Sequence, residues 1–410
     1  MRFASLICSL CFLVAFYDGF SQQLLRAGWY RGVLTRTDQQ QVVFNFELQL
    51  EKQHPVLYIK NAEERLRVDD LRIQGDSLFI SMPFFESDFR VRVHANGSWT
   101  GKWIRGISTG FESMPFEATF NQSERIASHA SPSGDISGKW QVTILRPNGT
   151  PRPAIASFRQ RGNYLEGTFL TPTGDYRFLE GVVSGDTMRL SCFDGSHAYL
   201  FSALLNDQQI TNGMFYSGVS GLEKWSAQRN NAAALPDTIP VIAMKPGQEK
   251  ITFVYPDLEG RMVSLNDERF RNKVVLVQIM GSWCPNCMDE TAFLSKFYKE
   301  NSAKGVEVLA IAYELSTDAQ RSRNSLLKFH QCFQVAYPML NTGVTVTDDL
   351  RTEKTLPQLT GIRAFPTLIF IDKKGNVRKL HQGFYGPGAP EQYEAFKTDF
   401  YRTVLALLSE

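Results

Sequence analysis

The hydrophobic periodicity of this chain changes near residue 251, and that change limits the folds open to it. Upstream, apolar and polar residues alternate. Phe44, Phe46, Leu48 and Leu50 are interleaved with Asn45, Glu47 and Gln49, and Phe89, Val91 and Val93 with Arg90, Arg92 and His94. A period of two puts one face of a strand inward and the other toward water. Downstream, short β-branched runs at 274–279, 306–312, 367–371 and 377–382 alternate with helical stretches at 288–304 and 317–329. A last helix places Tyr393, Phe396, Phe400 and Val404 on one face. The expected fold is therefore an all-β region followed by an α/β domain, a mixed sheet with helices on both faces.

Within the β region, two segments repeat at an offset of 110. Gly28-Trp29-Tyr30 corresponds to Gly138-Lys139-Trp140, and Gly75-Asp76-Ser77-Leu78 to Gly185-Asp186-Thr187-Met188. A fixed spacing across separate segments implies two copies of one antiparallel unit, each a small barrel or sandwich. The expected division is a signal at 1–21, β repeats at 22–125 and 134–229, a linker at 230–250, and the α/β domain at 251–410.

With 410 residues the chain exceeds one ordinary core, and 43% hydrophobic with 21% charged residues is a globular composition. Its 44 basic and 42 acidic side chains form no block of like charge, so nucleic acid is not an expected partner. Arg2, the apolar run at 3–16 and the small residues Gly19 and Ser21 read as an export signal cleaved near Ser21. That run is shorter than the roughly 20 residues needed to span a bilayer. Cleavage removes Cys8 and Cys11 and leaves Cys192, Cys284, Cys287 and Cys332, too few for a disulfide framework. Cys192 lies in strand-like sequence and Cys332 after a helix; both are expected to be buried and inert.

Cys284-Pro285-Asn286-Cys287 sits where a buried strand gives way to a helix. That spacing allows a disulfide across one helical turn, and it sets Cys284 where unpaired backbone N–H groups favour a thiolate. Cys284 is then the attacking and leaving sulfur, and Cys287 resolves the mixed disulfide. Zinc binding would need two more ligands, and there is no second Cys pair, so no metal site is expected.

The segment from Lys273 through Trp283 to Cys287 resembles the active-site strand and helix start of the thioredoxin superfamily. Pro256-Asp257-Leu258-Glu259-Gly260 and Ala364-Phe365-Pro366-Thr367 make residues 250–410 similar to the TlpA/ResA-like thiol–disulfide oxidoreductases. The resemblance implies that Phe365 and Pro366 form the cis-proline loop facing the Cys pair. With Trp283 and Pro285, that loop would contact substrate. Gln278 stands where thioredoxin carries a buried acid, and Glu290 matches an acid of the TlpA/ResA-like proteins that would relay the Cys287 proton. The glycine-rich 383–388 loop after His381 is a further candidate to flank the pair.

On this resemblance the chain is expected to be a periplasmic dithiol reductase of client proteins. It would be re-reduced by a membrane-bound thiol donor, with its own Cys284–Cys287 disulfide in place of a cofactor. Pro285-Asn286 does not set the direction of electron flow, so an oxidase or isomerase stays open. So does a binding protein whose β repeats take a ligand or envelope partner.

Overall fold

The structure is a computed structural model that describes residues 25–236 and 241–410. The expected export signal lies outside the described residues. The β region is built of two nine-stranded, barrel-like antiparallel sheets. In the first, strands run as a meander from Gly28–Thr35 to Gly110–Phe120, and the first pairs with the last, Gly32 opposite Ala118. Its one interruption falls between Glu64–Val68 and Asp70–Gln74. The second runs from Gly138–Leu145 to Gly221–Arg229 and closes the same way, Val142 opposite Ala227. Closure pairs the strand edges that an open sheet would expose.

Both interiors are filled by the inward-facing residues of the alternating pattern. Phe44, Phe46, Trp99 and Trp103 fill the first and Trp140, Phe169, Phe201 and Trp225 the second. The barrels are joined by buried polar links. The Arg36 guanidinium donates to the carbonyls of Gly218 and Gly221, and the Asn61 amide donates to the Phe193 carbonyl at 2.8 Å.

The C-terminal domain has a five-stranded mixed sheet in the order Met339–Asn341, Val306–Ala312, Val274–Met280, Thr367–Ile371, Val377–Gln382. The first three strands are parallel and step in one direction across the sheet. Two successive right-handed crossovers then set the helices Pro285–Asn301 and Ala319–Cys332 on the same face. Leu294, Phe297, Leu326 and Phe329 pack there with Phe396 and Phe400 of the last helix, Pro390–Ser409. The opposite face, carrying Val275, Val277, Ile279, Leu309 and Ile311, is covered by Ile251, Phe253 and Phe270 and by Leu356 and Leu359 after the short helix Arg351–Thr355. Helices thus cover the two faces unequally.

Three local expectations are corrected. The helix after the Cys pair begins at Pro285 rather than 288, because Cys284 itself is its N-cap, and it gives way to a short 3₁₀ turn before Gly305, whose φ of 87° ends it. Cys332, expected to be buried, is exposed at the end of its helix, whereas Cys192 is buried as expected. Ile242, in the stretch expected to be linker, is buried and donates its N–H to the Gln382 side chain. Among the described residues no helix is long and apolar enough to cross a membrane.

Candidate active site

The central strand Val274–Met280 is buried throughout, so the turn after it has a fixed origin. That turn is anchored to the end of the neighbouring strand. Ser282 donates from N and Oγ to the Glu314 carboxyl at 2.9 and 2.6 Å, and Trp283 donates Nε1–H to the Tyr313 carbonyl at 2.8 Å. Burial pushes Glu314 up to about 7. Trp283 is half-buried, with its ring 5.4 Å from that of Phe365.

Cys284 Sγ accepts the Cys287 backbone N–H at 3.2 Å and lies 3.4 Å from the Phe365 carbonyl. The Phe365–Pro366 bond is cis. Pro285 occupies the first helical position, where its missing N–H costs nothing. The sulfur therefore caps the first turn of a 17-residue helix by accepting from one of its otherwise unpaired amides. Only 5% of Cys284 is exposed and none of Cys287. Burial, the Cys284 sulfur and Glu290 together hold the Cys287 thiol well above its ordinary range.

Behind the pair lies a buried polar group of three. Glu290 Oε2 accepts from Gln278 Nε2 at 2.9 Å, and Gln278 Oε1 accepts from Thr291 Oγ1 at 3.0 Å. Among the described residues no group donates to Glu290 Oε1. Burial pushes Glu290 up to about 8, partly offset by the Gln278 donor. A carboxyl poised near neutral pH with one open oxygen can take up and release a proton.

The glycine-rich loop and His381 were candidates to flank the pair, whereas Asp289, Arg177 and Asp175 escaped the sequence reading. Asn286, between the cysteines, donates to the Phe384 carbonyl at 3.1 Å, which places the glycine-rich loop at the pair's edge. His381 turns its ring onto Phe396, at 5.0 Å. Asp289 is paired with Arg177 of the second barrel, which also pairs with Glu64 of the first and donates to the Pro285 carbonyl. Burial outweighs the Arg177 attraction and pushes Asp289 up to about 6; burial and the Asp289 charge push neighbouring Asp175 up to about 7. A charge pattern in sequence gave no sign of these pairs, because their members lie in different domains.

A helix-capping cysteine, a second cysteine one turn on and the carbonyl of the residue before a cis-proline facing the first are the arrangement of a thiol–disulfide oxidoreductase of the thioredoxin class. A family profile described as Redoxin matches residues 237–395. The thiol-disulfide oxidoreductase ResA of Geobacillus thermodenitrificans is 30% identical over 141 residues, 34% of this chain and 71% of the relative. ResA of Halalkalibacterium halodurans is 28% identical over 140 residues, 34% of this chain and 69% of the relative. Among solved structures, a thiol:disulfide interchange protein DsbE from Chlorobium tepidum aligns with a TM-score of 0.31 at 22% identity, covering 40% of this chain and 99% of that one. The chain belongs, through its C-terminal domain, to the ResA-like thiol–disulfide oxidoreductases, enzymes that act on protein thiols and disulfides.

Proposed function

We propose that the protein is an exported, periplasmic dithiol reductase of protein disulfides, working through Cys284, Cys287 and Glu290 without an added cofactor. The observation that carries this reading is the placement of Cys284 Sγ between the Cys287 amide and the Phe365 carbonyl, with Glu290 buried behind.

The Cys284 thiolate attacks one sulfur of a client disulfide, forming a mixed disulfide and expelling the other sulfur as a thiolate. Cys287 gives its proton to ionised Glu290 and attacks Cys284 Sγ, releasing the second client thiolate. The client gains two electrons and the pair becomes a disulfide. Glu290 returns the proton to a departing client thiolate. A membrane-bound thiol donor then restores the dithiol. Trp283, Pro285, Phe365 and Pro366 line the approach, and an extended client segment can lie along the Phe365 backbone. The two barrels are copies of one unit, spanning 22–125 and 134–229, that present this site to envelope clients.

The test is a redox titration of the Cys284–Cys287 pair in glutathione buffers. A strongly reducing potential supports the reductase, whereas a value above about −150 mV supports an oxidase. Cys284→Ser abolishes disulfide reduction; a protein acting only through partner binding at its barrels keeps its phenotype. N-terminal sequencing of periplasmic material tests export, with a mature start near Gln22 expected.

A further inference from the structure

The β region touches the Cys pair from two sides. On one side, Gly174 of the second barrel forms a parallel bridge with Phe384, whose carbonyl holds Asn286. The approach is so close that a Cβ on Gly174 would sit 1.8 Å from Asn286 Nδ2, and one on Gly383 would sit 2.8 Å from the Thr173 backbone. Tyr385 donates to the Thr171 carbonyl at 2.8 Å, and the Gly386 N–H to Asp175 at 3.2 Å. On the other side, Ser282 and Trp283 pack around a small cavity of about 20 Å³ with Glu86, Ser87 and Arg105 of the first barrel and Ser196 of the second. Arg321 fastens this side, donating to both Glu86 oxygens at 2.8 and 2.9 Å. The buried Arg177 pairs fasten the first.

We propose that the two barrels are walls of the substrate groove, and that they admit an extended, unfolded segment carrying its disulfide while excluding disulfides displayed on folded surfaces. Attack requires a client sulfur to come within ~3.5 Å of Cys284 Sγ. Only 5% of that residue is exposed, and the barrels reach its neighbours Trp283 and Asn286. A single extended strand is about 5 Å across in the sheet plane, the narrowest shape a client chain offers. The proposal requires that a folded surface meet Glu86, Arg105 and Thr173 before its sulfur arrives. The proposal deepens the reductase reading and rests on Cys284 being the attacking sulfur.

The test uses the chain from Gln22 onward carrying Cys287→Ser and Cys332→Ser, which leaves Cys284 and the buried Cys192 as its thiols. An unstructured peptide is loaded through a cysteine activated as its thionitrobenzoate mixed disulfide. Cys284 displaces thionitrobenzoate, so loading does not depend on physiological turnover. A benzophenone beside that cysteine is then photolysed and its cross-links are mapped. Cross-links to 85–87, 105–106 or 173–174 are expected, and cross-links confined to 251–410 overturn the proposal. The same activated cysteine on a folded domain should load at least about tenfold more slowly, ~1.4 kcal/mol of steric discrimination; equal rates overturn it. The expected cross-links and rate difference together with an oxidising potential for the native pair would instead sink the reductase direction and leave the groove intact.

Discussion

Gln278 donates its amide N–H to Glu290 across 2.9 Å, joining the strand before the Cys pair to the helix after it. The carboxyl proposed to carry the pair's proton thus lies on the helix, and the strand supplies the hydrogen bond that orients it. Glu290→Gln keeps the shape and removes the proton exchange. Resolution of the mixed disulfide should slow about 100-fold, and its pH dependence near 8 should vanish, as followed by stopped-flow release of client thiol. A loss in the first attack with normal resolution would show that the carboxyl acts elsewhere.

Stability carries the same signature. Burial raises Glu290 to about 8 in the folded chain, against about 4.3 unfolded. The folded state holds the proton more tightly, so this contribution is greatest below the unfolded value and declines as pH climbs toward 8. Glu290→Gln removes that decline. At pH 9 the variant should be the more stable protein, by at most ~5 kcal/mol, whereas at pH 4 the two should be alike in urea unfolding.

Thr291 fixes which end of the Gln278 amide faces Glu290, since its hydroxyl donates to Oε1 at 3.0 Å. Thr291→Val leaves that buried oxygen unsatisfied, costing ~1–3 kcal/mol, and frees the amide to turn. Losing the donor disfavours the ionised carboxylate, so the pH midpoint of resolution should move up. Thr291→Ser restores the hydroxyl and should restore the midpoint, an outcome that a packing effect alone would not produce.

Arg177 is the buried cation between Glu64 and Asp289. Arg177→Met strands two carboxyls away from water and should cost ~3–5 kcal/mol in thermal or urea unfolding. Adding Glu64→Gln and Asp289→Asn removes those charges and should recover much of the loss.

Among the described residues, the two cysteines outside the pair differ in exposure. In oxidised protein, iodoacetamide should modify Cys332 in the native state and reach Cys192 only on unfolding, as read by mass spectrometry. Native labelling of Cys192 would contradict the closed second barrel.

Much of the fold was legible because it is written in local pattern. The strand bounds 306–312 and 367–371 follow from short apolar runs between turn residues, 377–382 from the Lys373-Lys374-Gly375-Asn376 turn before it, and the cis-proline loop from Ala364-Phe365-Pro366-Thr367. Met339–Asn341 and Arg351–Thr355 were not legible, since three and five residues hold too little of any period. Cys332 was misplaced because a cysteine's burial depends on what packs over it.

The sequence alone determined that a Cys pair would stand at a strand-to-helix junction, with Glu290 one turn beyond Cys287. These are short-range consequences of chain geometry and capping. The tertiary structure decided how that site behaves. Burial against Gln278 and Thr291 gives Glu290 its raised proton affinity. Gly174 and Arg177, more than 100 positions from the pair (112 between Arg177 and Asp289), bring the barrels to its edge. Contacts of that span arise only when separately folded sheets pack together, and no periodicity within either segment encodes them.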